Sequence, residues 1–420
     1  MTMVDGAMQA MGDRARAAFD AARTTPAATR TAALYAMADA LERGGDAILE
    51  ANADDVARAR HDAMADAMLD RLALTPGRIA AMATAVREIA CQTDPVGGED
   101  QRWTRSSGLD IARVRVPIGV LAVIYESRPN VTVDAAALCV RSGNALILRS
   151  GSAALASAMA IHTALVEGLT GAGLPTDLVQ LVNTPDRAAV GAILTGLNGT
   201  IDLIVPRGGR SLVQRIQSEA RAPVLGHLEG LCHTYLHAAA DPEKARRIVL
   251  NAKMRQVTVC GATETLLVDA SAPEALLRRV AEDLLAAGCI LRGDARTCAI
   301  VPEARPAVEA DWTTEYLAPI LAVRVVNGMA EALAHIARHG SGHTDAIITE
   351  DPAAAAEFLD RVDSAIVMHN ASTQFADGGQ FGFGGEIGIA TGRLHARGPV
   401  GAAQLTTYKY VVRATGAVRP

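Results

Sequence analysis

Aromatic residues make up only 3% of this 420-residue chain, so its cores must be built from Ala, Val, Leu and Ile. Half of the residues are hydrophobic all the same, and aliphatic cores of that kind suit parallel α/β layers, whose strands are buried on both faces. The length allows two or three domains. A basic excess is missing too. The net charge of −6 excludes a general affinity for nucleic acid, which needs a cationic footprint, but not a locally cationic pocket. The six cysteines, Cys91, Cys139, Cys232, Cys260, Cys289 and Cys298, contain no CxxC pair and no regular spacing. Neither a disulfide framework nor a zinc or other metal site is indicated, and free thiols fit a reducing cytosol. No run of about 18 apolar, uncharged residues marks a membrane span. Residues 1–25 lack the apolar core of a signal peptide, and Asp5, Asp13 and Asp20 count against a transit peptide. A cytoplasmic protein with no membrane or nucleic-acid partner is expected.

What is present falls into blocks. From Arg14 to about Ala90 apolar residues recur at three- and four-residue spacing, as in Leu34, Met37, Ala38 and Leu41, which predicts helices. Residues 93–98 are a Pro/Gly break. Residues 102–116 mix polar and apolar types and read as an exposed strand pair or arm. From Pro117 strands at 119–125, 145–148, 178–182 and 201–205 alternate with helices at 133–140, 153–166, 187–194 and 211–220, before a further short segment at 223–225. Such repeats predict a doubly wound, mainly parallel sheet, which binds ligands at the carboxyl ends of its strands. A second α/β block begins near Asp241, with helices at 243–252, 273–287 and 330–335 and strands at 265–268, 320–325, 345–348 and 365–368. A Gly-rich loop follows at 377–385, and a β-rich segment at 405–412 is left to pair with the arm or with another subunit.

One thiol stands out. Cys260 sits on a short polar turn just before an apolar strand, where it could form a covalent acyl intermediate. The competing reading is a buried packing residue, the usual fate of a free cysteine. Lys253 and Arg255 precede it, and cations favour a thiolate; helix-end charges in water explain them equally well. Arg149, with Ser150 and Ser152, ends the second strand of the first sheet, where an acidic residue would ordinarily take a ribose hydroxyl. A cation there favours a 2′-phosphate and NADP, or else merely solvates a strand end. Gly208 and Gly209 open the helix after the fourth strand and could admit a pyrophosphate, although a tight turn accounts for them as well. Arg128 and Asn130 follow the first strand; Asn suits an oxyanion hole and Arg an anionic substrate group, while Pro129 and Asn130 also make an ordinary turn. His227 and Glu229 are possible general bases by type, with a structural histidine the commoner outcome.

Together these segments resemble the aldehyde dehydrogenase superfamily, in particular its branch that reduces an acyl phosphate. The matches run in order through PIGVLAVIYESRPNVTVDAAALCVRSGNALILRSGS from Pro117, DLIVPRGG from Asp202, NAKMRQVTVCGATETLLV from Asn251, and EYLAPILAV from Glu315. They continue through GSGHTDAIIT from Gly340, VDSAIVMHNAST from Val362, FGFGGEIGI from Phe381, HARGPVG from His395, and LTTYKYVV from Leu405.

The resemblance implies a Rossmann-type nucleotide-binding domain over residues 1–100 and 118–235. It also implies a catalytic α/β domain over 236–390 carrying Cys260, and a β oligomerisation arm from 101–117 and 400–415. Cys260 falls on the catalytic thiol, Asn130 near the oxyanion-hole asparagine, Glu315 on the glutamate that meets the nicotinamide ribose, and Arg149 on the strand-end basic residue. Arg128, Lys253 and Arg397 are candidates to hold substrate phosphate and carboxylate. The implied activity is NADPH-dependent reduction of L-glutamyl 5-phosphate to L-glutamate 5-semialdehyde. A homo-oligomer, dimer or tetramer, and a functional link to glutamate 5-kinase are also implied. Gly261 and the segment 254–257 depart from the branch's usual pattern, which leaves Arg255 open as a substrate contact. His227 stands where hydrolytic members keep a glutamate base, and an enzyme that must protect a thioester gains nothing from activating water there. An oxidative aldehyde dehydrogenase, a reductase of another acyl phosphate, and a nucleotide-binding partner without catalysis are the alternatives.

Overall fold

The computed structural model describes residues 3–419 and forms two contact-dense units. The first contains the chain up to Gly226, Gly382–Gly388, and the chain from Val400 onward. Its N-terminal part is helical, as the spacing predicts: Met3–Ala22, Ala27–Arg43, Gly45–His61, Asp66–Leu72 and Pro76–Cys91. Thr75 starts the last of these, accepting a hydrogen bond from the Arg78 N–H at 3.1 Å, and Pro76 occupies the first turn, where no N–H is needed.

Four parallel strands follow, in the sheet order Val179–Leu181, Ala145–Ser150, Val120–Tyr125, Leu203–Arg207. In chain order that is 3-2-1-4, half of a doubly wound sheet, and its switch point lies between Val120–Tyr125 and Leu203–Arg207. Every residue of Val120–Tyr125 and Ala145–Ser150 is buried, which is why Val120–Tyr125 and residues 145–148 read as unbroken apolar runs. The helix Leu155–Gly171, with its preceding turn, is long and apolar enough to cross a membrane by composition. Its polar start is tied into this unit, the Ser157 hydroxyl donating to Asp55 at 2.6 Å and accepting from Asn52 at 3.0 Å. At Gly168 a Cβ would lie 2.5 Å from the Met37 backbone, so glycine allows the two helices to touch.

The expected arm is a three-stranded antiparallel sheet. Glu99–Thr104 pairs with Asp110–Pro117, which pairs along its whole length with Thr406–Arg413. Trp103, Tyr408, Tyr410 and Val412 are exposed on it, the Trp103 and Tyr410 rings meeting edge to face at 6.1 Å.

The second unit, His227–Phe381 with Ile389–Pro399, is built on seven parallel strands. Their order is Arg305–Pro306, Ile290–Gly293, Ile320–Val326, Thr263–Asp269, Cys232–Leu236, Thr344–Ile348, Ile366–His369. Alternate side chains feed two cores. Leu236, Leu266 and Val323 pack with Val249, Leu277 and Leu284, while Tyr235, Leu267 and Ile347 pack with Ile336 and Phe358. The expected domain limits differ from these units: residues 227–235 lie in the second unit and not the first, and Gly382–Gly388 in the first and not the second. Residues 232–235 are expected in the first block, yet Cys232–Leu236 pairs with Thr263–Asp269 and Thr344–Ile348. Its polar start, Cys-His-Thr, hides a strand that is buried at every position.

Candidate active site and nucleotide cleft

Cys260 lies on the turn between helix Pro242–Met254 and strand Thr263–Asp269. Asp241 caps that helix, accepting from the Lys244 N–H at 2.8 Å. Adjacent strands bring up the neighbours: Gly230 precedes Cys232–Leu236, His343 precedes Thr344–Ile348, and Glu315 precedes Ile320–Val326. The thiol group is therefore assembled at the amino ends of parallel strands. The carboxyl-end rule of the first sheet does not describe this site.

The backbone of Cys260 is held closely. A Cβ on Gly230 would lie 2.1 Å from the Cys260 carbonyl oxygen, so no larger residue fits. The Cys232 thiol donates to the same oxygen at 3.1 Å, and burial pushes that thiol well above its ordinary range, so it keeps the proton.

Two imidazoles face the sulfur. His227 Nδ1 lies 2.6 Å from the Ile389 carbonyl; a carbonyl only accepts, so Nδ1 carries the proton and Nε2 remains for the thiol. His343 is fully buried. Its Nδ1 contacts Thr344 Oγ1 at 2.9 Å and Cys232 Sγ at 3.5 Å, while its Nε2 has no hydrogen-bond partner among the described residues. The two rings meet edge to face with centroids 4.8 Å apart. One nitrogen of each and the Cys260 sulfur lie within 4.8 Å of one another. Burial would push the Cys260 thiol up, but the nearby His343 and His227 hold it well below its usual range. A thiolate held beside two imidazoles can act as a nucleophile at neutral pH.

Glu315 stands close by, its Oε1 accepting the Gly230 N–H at 3.0 Å. Burial raises its carboxyl, opposed by that N–H, and the Cys260 charge raises it further. The loop carrying it is anchored by Glu264, whose Oε1 accepts the Leu317 N–H at 3.4 Å.

Lys253 requires a correction. Expected as a substrate contact, it is instead fully buried, with Nζ on Glu264 Oε2 at 2.5 Å. A cation enclosed with its counter-ion inside the sheet layer cannot reach a substrate phosphate. Arg255 is exposed and donates to Gln374 Oε1 at 3.0 Å. Arg397 donates from Nη1 to the Asp363 carboxylate and from Nη2 to its carbonyl, both at 2.7 Å.

In the first unit a cleft of about 560 Å³ opens at the carboxyl ends of Val120–Tyr125 and Ala145–Ser150. Arg149, Gly151, Ser152, Arg187 and Arg215 line it. The Arg149 guanidinium is buried, bonded to the carbonyls of Ser150 and Pro185, and its Nε has no partner among the described residues. Ser150 Oγ donates to the Gly151 carbonyl at 3.1 Å, and Ser152 is exposed on a short turn ahead of Leu155–Gly171. The Gly209 N–H donates to Glu126 Oε2 at 2.8 Å, and a Cβ on Gly208 would lie 2.8 Å from the same carboxylate. Arg128 is half-buried, its N–H donating to the Glu126 carbonyl at 2.6 Å. Asn130 opens the helix Asn130–Ser142 and donates to Asp134 at 3.1 Å.

A thiol set among imidazoles on one parallel sheet, and a cationic cleft at the strand ends of another, are the features that a nucleotide-dependent enzyme working through a covalent acyl group would need. The model of the aldehyde dehydrogenase family matches residues 4–289 and 305–411, and the chain belongs to that family, whose cofactors are NAD(P). Within it the chain stands with the gamma-glutamyl phosphate reductases. It is 63% identical over 413 residues to that of Caulobacter sp. strain K31, covering 98% of this chain and 99% of the relative. It is 60% identical over 419 residues to that of Hyphomonas neptunium, covering 100% and 97%. The crystal structure of the gamma-glutamyl phosphate reductase of Thermotoga maritima superposes with a TM-score of 0.95 at 42% identity, covering 98% of this chain and 100% of that one.

Sequence reasoning weighed His227 but missed His343, Cys232 and Gly230 as its companions. His343 lies in the quoted GSGHTDAIIT segment; nothing but its residue type at a strand start marks it.

Proposed function

We propose that the chain reduces L-glutamyl 5-phosphate to L-glutamate 5-semialdehyde in cytoplasmic proline biosynthesis, with NADPH as reductant and Cys260 as nucleophile. The observation that carries this reading is the Cys260 thiol held between His227 and His343, in a chain so close to relatives bearing that reductase's name.

The Cys260 thiolate attacks the γ-carbonyl, the carbon–oxygen bond to phosphate breaks, and phosphate leaves with the electron pair, giving a thioester. The Cys260 N–H is the donor assigned to the developing oxyanion, and losing one such donor typically costs about 10²–10³-fold in rate. NADPH, when bound, supplies the hydride that reduces the thioester. Collapse of the thiohemiacetal oxyanion then expels the Cys260 thiolate and frees the aldehyde. His227 and His343 stabilise the thiolate before attack and again on its release.

Three arginines suit the reductant. Arg149, with an unpartnered Nε, and Arg187 and Arg215 line the same cleft, a concentration of charge that fits a 2′-phosphate rather than a bare ribose. Ser150, Ser152, Gly208 and Gly209 complete that site, and Glu315 is an acceptor for a ribose hydroxyl. Arg128 and Arg397 remain the candidates for the substrate's anionic groups. The exposed aromatic face on Thr406–Arg413 is read as the seat of a second copy of the chain.

The test is NADP⁺ reduction with glutamate semialdehyde, with and without inorganic phosphate. Strict phosphate dependence is expected. Equal rates without phosphate would overturn the reading in favour of an oxidative dehydrogenase, in which His227 Nε2 activates water.

A further inference from the structure

The three side chains at the thiol are also a ligand set. We propose that Cys260, His227 and His343 bind a thiophilic divalent cation of the zinc class, and that the bound ion caps the thiol and silences the enzyme. One thiolate and two imidazoles are the donors that zinc prefers, and they select against magnesium and calcium, which want oxygen. The spacing fits. Zn–S of about 2.3 Å and Zn–N of about 2.0–2.1 Å in a tetrahedron put donors about 3.3–3.6 Å apart. All three donors here lie within 4.8 Å of one another, so small side-chain adjustments close the site.

Two further observations point to an ion. The His343 Nε2 is completely buried and has no partner among the described residues, a costly state for a ring nitrogen that a metal bond would relieve. The opposite nitrogen of each ring is anchored on oxygen, His227 Nδ1 on the Ile389 carbonyl and His343 Nδ1 on Thr344 Oγ1. Such outer contacts orient metal-bound histidines, and the Ile389 carbonyl fixes the His227 tautomer that leaves Nε2 a lone pair. No fourth Cys, His, Asp or Glu joins the cluster among the described residues, so one coordination position stays open to water. The donors come from three distant parts of the chain, beyond the reach of the spacing argument that found no metal motif.

Binding follows from geometry alone; the inhibition rests on Cys260 being the nucleophile. The experiment titrates the full-length enzyme with Co²⁺ as an optical probe and displaces it with Zn²⁺. One equivalent per chain is expected, with a sulfur-to-cobalt charge-transfer band, full displacement by Zn²⁺, and loss of activity that tracks occupancy and reverses with EDTA. Cys260→Ser should abolish the charge-transfer band, and His343→Asn should weaken binding at least about tenfold, the loss that even outer-contact changes commonly cause. Wild-type enzyme alkylated at Cys260 should lose the stoichiometric site as well, a control that needs no variant to fold. Unchanged affinity after alkylation would overturn the site, as would no binding at micromolar metal. Stoichiometric, Cys260-dependent binding without loss of activity would overturn the silencing and, separately, the nucleophile assignment.

Discussion

Replacing Lys253 by methionine should lower the thermal midpoint of the protein by several degrees, and adding Glu264→Leu should restore most of the loss. The ammonium and carboxylate are 2.5 Å apart, with side chains 0% and 2% exposed. Removing one partner of such a pair typically costs about 3–5 kcal/mol, because the other charge is left buried without compensation. Here the lower figure applies. Burial already lifts the Glu264 carboxyl to about 7 against the pull of Lys253, so without the cation it takes up a proton near neutral pH and escapes part of the penalty. The remaining Leu317 N–H, at 3.4 Å, is a weak partner. For a folding unit of this size about 3 kcal/mol corresponds to roughly 6–12 °C. The double variant puts apolar volume where the ions were, an exchange that is often neutral or stabilising. Scanning calorimetry gives the midpoints, and steady-state kinetics on all three proteins gives the KM for the acyl phosphate. Recovered stability with an unchanged KM is expected. A double variant that regains stability yet shows a tenfold higher KM for the acyl phosphate would refute the structural role and return Lys253 to the substrate site.

Alkylation of Cys260 by iodoacetamide should be nearly independent of pH from 7 to 9, because the thiol is held well below its usual range. Loss of either histidine, by His227→Gln or His343→Gln, should move the profile up toward the ordinary thiol range near about 8.5; a wild-type rate climbing tenfold per pH unit there would contradict this. Acid should destabilise the second unit through His335. Burial and the nearby His233, His339, Arg324 and Arg338 hold that imidazole down at about 2 from an ordinary 6.5. The unfolded chain alone takes the proton below 6.5, so stability is full above that pH and falls by about 1.4 kcal/mol per unit below it. His335→Gln should flatten that slope in denaturant titrations between pH 6 and 4. Arg149→Ala should raise the KM for NADPH at least about tenfold while leaving that for NADH nearly unchanged, the signature of a lost phosphate contact; equal losses would assign Arg149 to the strand end alone. Tyr410→Asp should shift the sedimentation coefficient toward that of the single chain, and an unchanged value would place the subunit contact elsewhere.

Much of the fold was legible because its signals are local. Val120–Tyr125 and residues 145–148 are apolar throughout since both faces are covered, and the Ala-rich helices show their buried stripe directly. The turn that carries Cys260 was legible from its polar residues and its flanking matches. What could not be read depends on contacts between distant residues. A lysine at a helix end looks solvated until the sheet behind it is known to carry Glu264. His343 is 83 residues from Cys260 in the chain, and only the parallel pairing of Cys232–Leu236 with both Thr263–Asp269 and Thr344–Ile348 brings them together. Parallel strands are joined by long crossovers, so neither their order nor the residues that meet at their ends follows from periodicity.

The hydrogen bond from His227 to the Ile389 carbonyl bears on how the protein is made. The two residues are 162 positions apart, and domains form as synthesis proceeds from the N-terminus. A ribosome has built Cys260 and most of the sheet around it long before Ile389 emerges. Until that carbonyl arrives, His227 has no fixed tautomer, and the cysteine lacks one of its two organised imidazoles. The surroundings of Cys260 are thus completed by one of the last segments to join its unit.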